Sequence, residues 1–281
     1  MTHRSPHVWL ITGADKGLGY QTAKAALERG DRVAVTVLAT DGTHPLAAEY
    51  PDRLRSYHLD ARDHAGASRV VREVEQAFGR VDVLVNNAGY GVMGLAEETG
   101  ADKYRPLFEV NVFGLVEMTR AVLPIMRRQR SGHVINLSSV AGFVGSVGFA
   151  FYCASKFAVE GYSEVLAKEV KDLGIRVTII EPGGHRSDFA GPSLVTGRSS
   201  IADYEAAGQR IAQYTATRHG KQPSDPAKFG LAMCTLVDLE EPPLRLPLGE
   251  DALQNVGDKA AFVQSELKRW DALSRSTKID E

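Results

Sequence analysis

Short runs of apolar, mostly β-branched residues recur along the chain, separated by longer stretches with helical periodicity. Runs at 8–12, 32–38, 54–58, 81–86, 132–138 and 176–181 are brief and mostly apolar on both faces, as buried parallel strands require. Amphipathic stretches at 18–28, 65–78, 104–130 and 154–173 lie between them. Strand–helix alternation with short connections predicts βαβ units, hence an α/β fold with a doubly wound parallel sheet and helices on both faces. Beyond Glu181 the rhythm changes. Residues 182–200 are rich in Gly, Ser and Pro and read as a loop, followed by helices at 201–218 and 225–237. A last strand at 244–246 and a terminal helix at 258–274 complete about seven strands and a C-terminal extension. With no internal repeat and no long linker, residues 1–281 read as one domain.

Composition narrows the function classes. Lys and Arg total 33 against 35 Asp and Glu, a formal net charge of -2. Charges of both signs are interspersed, so neither nucleic acid nor an anionic membrane is expected as a partner. No apolar run reaches the ~20 residues of a membrane span. The segment before Thr12-Gly13 is too short for a signal-peptide core, and a cytoplasmic location is expected. Cys153 and Cys234 cannot make a disulfide framework, and the histidines have no ligand spacing, so no metal is expected.

Chemistry enters at the strand ends. Gly13, Asp15, Lys16, Gly17, Leu18 and Gly19 form a G-x-x-x-G-x-G turn between the first strand and first helix. Glycines there let the backbone turn tightly and approach a pyrophosphate at the helix N-terminus. Tyr152 and Lys156, four apart, share a helix face. A positive charge beside a phenol favours phenolate and brings it toward proton transfer at neutral pH. Taken alone, such a pair is more often a surface coincidence. Here Asn86-Asn87-Ala88-Gly89, Ser138-Ser139 and Pro182-Gly183 all end strands, on the side where parallel sheets bind ligands, and Asn111 lies in the intervening helix.

With these motifs in place, the chain resembles the short-chain dehydrogenase/reductase family over about residues 7–190. The resemblance rests on T-G-x-x-x-G-x-G, N-N-A-G, Asn111, Ser139 thirteen residues before Tyr152, and Y-x-x-x-K. It implies a single-domain Rossmann-type fold and hydride transfer between a nicotinamide cofactor and a carbonyl or secondary alcohol. The cofactor-binding part would cover about 7–190, and a substrate lid and C-terminal extension about 186–281. Tyr152 would be the general acid in reduction and the base in oxidation. Ser139 would bind the substrate oxygen, with Ser138 the competing serine. Lys156 would lower the Tyr152 pKa and hold the nicotinamide ribose, and Asn111 would bend its helix and order a relay water. The cofactor would meet Asn87, Ala88, Gly89, Pro182, Gly183 and Ser187, with Asp60 beside the adenine or, alternatively, simply capping a strand or helix.

Cofactor choice turns on the end of the second strand. Val37 and Leu38 stand where the family usually has Asp for NAD or Arg for NADP, so both signals are missing. Lys16 matches the basic residue of NADP-preferring members, which favours NADP(H) over NAD(H). Met93, Phe143, Phe149 and Phe189 would form an apolar pocket for a bulky ketone or alcohol. His185 and Arg186, after the Pro-Gly turn, could contact cofactor or substrate, with surface placement the first expectation. The softer likeness is to ketone reductases and 17-beta-hydroxysteroid dehydrogenases, with NAD-dependent alcohol dehydrogenase as the alternative. A 3-oxoacyl-thioester reductase would want a basic patch, which the dispersed Arg186, Arg198, Arg210 and Arg218 do not form. A nucleotide-sensing regulator could dispense with the Tyr and Lys that are intact here. The family's habit implies a homodimer or homotetramer through the helices at 104–130 and 154–173.

Overall fold

In the computed structural model, residues 5–191, 193–197 and 200–279 are described; Arg198 lies outside them. The chain runs β1 (Val8–Ile11), α1 (Gly17–Glu28), β2 (Arg32–Val37), β3 (Leu54–His58), α2 (His64–Phe78), β4 (Val83–Asn86) and β5 (Gly91–Met93). Next come α3 (Ala101–Phe108), α4 (Leu115–Gln129), β6 (Gly132–Leu137), α5 (Ala150–Val170), β7 (Ile175–Pro182) and β8 (Leu194–Thr196). Helices α6 (Glu205–Arg218) and α7 (Pro226–Asp238), strand β9 (Arg245–Leu248), and helices α8 (Glu250–Arg269) and α9 (Asp271–Arg275) complete it.

Seven parallel strands lie in the order β3-β2-β1-β4-β6-β7-β9. The order reverses between β1 and β4, where loops leaving neighbouring strands diverge and open a crevice at their carboxyl ends. The alternation of side chains along β1 explains the two cores. Trp9 and Ile11 join Val33, Val35, Phe229 and Met233 under α1 and α7. Val8 and Leu10 point the other way, to Val70, Met118, Val122 and Leu166 under α2, α4 and α5. A strand covered on both faces has no polar side to show, hence its continuous apolar sequence.

Four departures from the sequence reading matter. The expected helix at 104–130 is three pieces: α3, a π-helical turn over Glu109–Gly114, and α4. Pro106 lacks an amide hydrogen, and Asn111 in the π turn spends its side chain on Tyr90. Helix α5 starts at Ala150 rather than 154, which places Tyr152 in its first turn. Helix α8 starts at Glu250 rather than 258, with Glu250 and Asp251 in its first turn, where the helix dipole favours acids. Its interior Gly257 weakens the helical pattern and hides that start from sequence. A second, two-stranded parallel sheet, β5 with β8, ties the segment after β4 to the lid. Among the described residues, no helix is long and apolar enough to cross a membrane.

Candidate active site

A cleft of about 980 Å³ opens where β1, β4, β6 and β7 end. The glycine loop forms one end of it. Gly13 and Gly17 both have φ of +61°, a conformation that L side chains avoid. Gly19 is needed for a different reason: a Cβ there would lie 2.4 Å from Asn87 Nδ2 and 2.8 Å from the Gly13 carbonyl oxygen. Asn87 Nδ2 donates to the carbonyl oxygens of Thr12 and Gly13, both at 2.8 Å. Thr12 Oγ1 accepts from the amides of Asn87 and Ala88, both at 3.0 Å. Asn87 thus fastens the glycine loop, as well as lining the cleft with Ala88 and Gly89. Helix α1 begins in this loop with no side-chain cap, so its first amides have no side-chain acceptor and suit a pyrophosphate.

At the outer end, Leu38 is 62% exposed on the cleft wall just after β2, while Val37 is buried. Asp60 also lines the cleft and takes Arg62 Nε on both oxygens at 3.0 Å. That bond holds the Asp60 carboxyl below its usual range. Arg62 was missed by the sequence reading, although it stands only two residues beyond Asp60. Lys16 Nζ lies 3.9 Å from Asp188 Oδ2 across the cleft, with both side chains about half exposed. Asp15, Gly17 and Leu18 complete this wall, while Gly19 packs behind it.

At the inner end, Ser139 follows β6, and its Oγ accepts from the Ala141 amide at 3.1 Å. The Ser139 hydroxyl also stands beside the Tyr152 phenol. Tyr152 is buried, which raises its pKa; the neighbouring Ser139 hydroxyl opposes that rise. Lys156, one turn further along α5, donates from Nζ to the Leu137 carbonyl oxygen at 2.8 Å. Its ammonium stands 5.8 Å from the centre of the Tyr152 ring. Burial lowers Lys156 to about 8, and the neighbouring Glu160 works against that shift. Asn111 is buried just behind the cleft. Its Oδ1 accepts from the Tyr90 amide at 3.1 Å, and its Nδ2 donates to the Tyr90 carbonyl oxygen at 3.0 Å and Ser155 Oγ at 3.2 Å. Gly89 is the spacer between them: a Cβ there would sit 3.0 Å from Asn111 Oδ1 and 3.6 Å from Lys156 Nζ.

Behind Lys156 is a half-buried ionic cluster that sequence gave no reason to expect. Arg245 on β9 reaches Glu160 at 3.1 Å, Glu164 at 2.9 Å and Glu181 at 3.6 Å. Glu181 is fully buried one residue before Pro182, and desolvation together with the charge of Glu160 raises it to about 7. Ser138 Oγ is buried beside this cluster without a hydrogen-bond partner, whereas Ser139 stands on the Tyr152 side.

The remaining wall is mostly apolar. Met93, Phe149 and Phe189 line it. The Phe189 ring lies 5.2 Å from that of Tyr152, and Phe149 lies 5.8 Å from Tyr152 and 5.4 Å from Tyr214. Phe143 does not join them; it is half-buried outside the cleft lining, past the turn that Ser139 starts. Pro182, Gly183 and Ser187 line the floor, and Ser187 Oγ accepts from the Phe189 amide. His185, expected first at the surface, is buried edge-on to Phe229 at 5.1 Å and lines the cleft, whereas Arg186 is exposed and is not among the lining residues. Arg210, Tyr214 and Arg218 reach the cleft from successive turns of α6, a spacing that sequence could have revealed. Asp251 and Asn255 come from the unexpected first turns of α8. Asp251 Oδ2 accepts from the Gly184 amide at 2.8 Å and lies 3.8 Å from Arg218.

The cleft thus brings the glycine loop to one end and Tyr152, Ser139 and Lys156 to the other. The profile of the short chain dehydrogenase family matches residues 7–194, and the chain belongs to that family. It is accordingly an NAD(P)-dependent dehydrogenase/reductase. It is 36% identical over 268 residues to oxidoreductase BOA17 of Botryotinia fuckeliana, covering 95% of this chain and 97% of the relative. It is also 36% identical over 247 residues to a 3-ketodihydrosphingosine reductase of Bacteroides thetaiotaomicron, covering 87% of this chain and 88% of that protein. A crystal structure of a short-chain dehydrogenase from Streptomyces avermitilis superposes with a TM-score of 0.90 at 40% identity, over 98% of this chain and all of the other.

Proposed function

We propose that this enzyme is an NADPH-dependent reductase of bulky, mainly apolar ketones, of the ketone-reductase and hydroxysteroid-dehydrogenase type. The observation that carries the proposal is the Tyr152–Ser139 hydroxyl pair facing a pocket walled by Met93, Phe149, Phe189 and Tyr214. The bound nicotinamide supplies the hydride. Ser139 donates a hydrogen bond to the carbonyl oxygen, where negative charge develops. Tyr152 delivers its proton to that oxygen; burial keeps the phenol protonated for this purpose. Lys156 stabilises the phenolate left behind, and Asn111 holds the Tyr90 backbone beside it. The name of the Bacteroides relative is that of an enzyme for a ketone substrate, in keeping with this chemistry.

The NADPH preference rests on charge. No carboxylate ends β2, since Val37 is buried and Leu38 is apolar; of the nearby acids, Asp41 is bonded to Thr43 and Asp60 is paired with Arg62. Lys16, loosely paired to Asp188, supplies a cation that a phosphate dianion competes for effectively. The exposed Phe113, Phe157 and Val165, in the π turn and on α5, support self-association through that face. Fluorescence titration with NADPH and NADH tests the cofactor reading. At least tenfold tighter NADPH binding, mostly lost in Lys16→Ala, is expected; equal binding, or tighter NADH, overturns it. Turnover of small charged keto acids in preference to hydrophobic ketones overturns the substrate reading.

A further inference from the structure

Helix α8 is anchored only at its start. Ala252 is buried and Asp251 is bonded to Gly184, but every residue from Gly257 to Arg269 is exposed except the half-buried Lys259 and Glu266. From Leu253 onward, Leu253, Val256, Ala260, Val263, Leu267 and Trp270 form one apolar line, with Phe262 exposed beside it. Their spacing alternates three and four, the heptad seam of a coiled coil. Leu253 is 61% exposed, Val263 41%, Leu267 67% and Trp270 47%. An isolated helix gains little from such a seam in water; it gains when a partner covers it.

The flanking charges identify the partner. Asp258, Lys259, Glu266, Lys268, Arg269 and Asp271 mix both signs, unlike the basic face that an anionic membrane draws to itself. They do fit a second copy of this helix, in one orientation. Laid antiparallel about a two-fold axis between residues 261 and 262, the seam closes on itself. Leu253 then meets the partner's Trp270, Val256 the partner's Leu267, and Ala260 the partner's Val263. In that register Lys259 flanks the partner's Glu266, twice by symmetry. A parallel pair would instead set Glu266 against the partner's Asp271.

We propose that α8 is a self-recognition helix that pairs antiparallel with α8 of a second copy of the chain. The pairing also reaches the cleft: the clamped helix carries Asp251, which holds the Gly184 turn, and Asn255 on the cleft wall.

Light scattering and sedimentation velocity on the full chain test this, with circular dichroism as the folding control. The doubly substituted Val263→Glu/Leu267→Glu chain is expected to have half the mass of the wild type, whatever other interface operates. Lys259→Glu and Glu266→Lys are each expected to raise the dissociation constant at least tenfold, and the two together to restore it to within threefold. An unchanged mass in the Val263→Glu/Leu267→Glu chain overturns the proposal. Single charge reversals without effect overturn the antiparallel pairing. Cosedimentation with anionic phospholipid vesicles that Val263→Glu/Leu267→Glu abolishes would assign the seam to a membrane instead.

Discussion

Gly19 and Asn87 pack so closely that a Cβ on residue 19 would stand 2.4 Å from Asn87 Nδ2 and 2.8 Å from the Gly13 carbonyl oxygen. That amide holds the Thr12 and Gly13 carbonyls, so the contact sets the shape of the loop proposed to receive the pyrophosphate. Gly19→Ala is expected to weaken NADPH binding at least tenfold by displacing Asn87. Equilibrium fluorescence titration checks it, and unchanged affinity would mean that the loop does not depend on this packing.

Lys156 sets an upper pH limit. Burial lowers it to about 8, so as pH rises through that value the folded enzyme loses the ammonium beside Tyr152. The kcat/KM for the cofactor, which reports the free enzyme, is expected to fall above about pH 8, approaching tenfold per pH unit. Lys156→Ala should lose on the order of 10²–10⁴ in turnover at pH 7. A flat profile to pH 10 would contradict the role given to this charge.

Glu181 links stability to pH. Its ordinary value is 4.5 and its folded value about 7. Between these, the native state keeps a proton that the unfolded state has released, so stability falls as pH rises from 4.5 to about 7. Glu181→Gln removes that dependence. Compared by urea unfolding at pH 5 and pH 8, the variant should lose less stability than the wild type, by on the order of 1–3 kcal/mol. Equal losses in both proteins would show that Glu181 is ionised throughout.

Much of this was legible because the signals were local. Strands such as Val8–Ile11 are apolar on both faces because both faces are covered, and the Gly13–Gly19 turn and the Tyr152–Lys156 spacing are short-range patterns. What escaped depends on distant partners. The π turn around Asn111 arises from its bonds to Tyr90, and β5 and β8 are three-residue strands that exist through each other. Phe143 carried the same apolar signal as Phe149, yet the turn after Ser139 leaves it outside the cleft. Asp251 lay in a stretch read as non-helical, and the Glu160–Arg245–Glu181 cluster ties β9 to α5 and β7, which lie far earlier in the chain.

The central claim is that Tyr152 passes a proton to a ketone oxygen held with Ser139. Tyr152→Phe keeps the ring that packs against Phe149 and Phe189 and removes only the hydroxyl. Measured with NADPH and a hydrophobic ketone, the variant should bind cofactor within about threefold of the wild type and lose at least ~10³-fold in kcat, a loss of the size expected for an essential acid. Turnover retained to within tenfold, with cofactor binding intact, would contradict the mechanism.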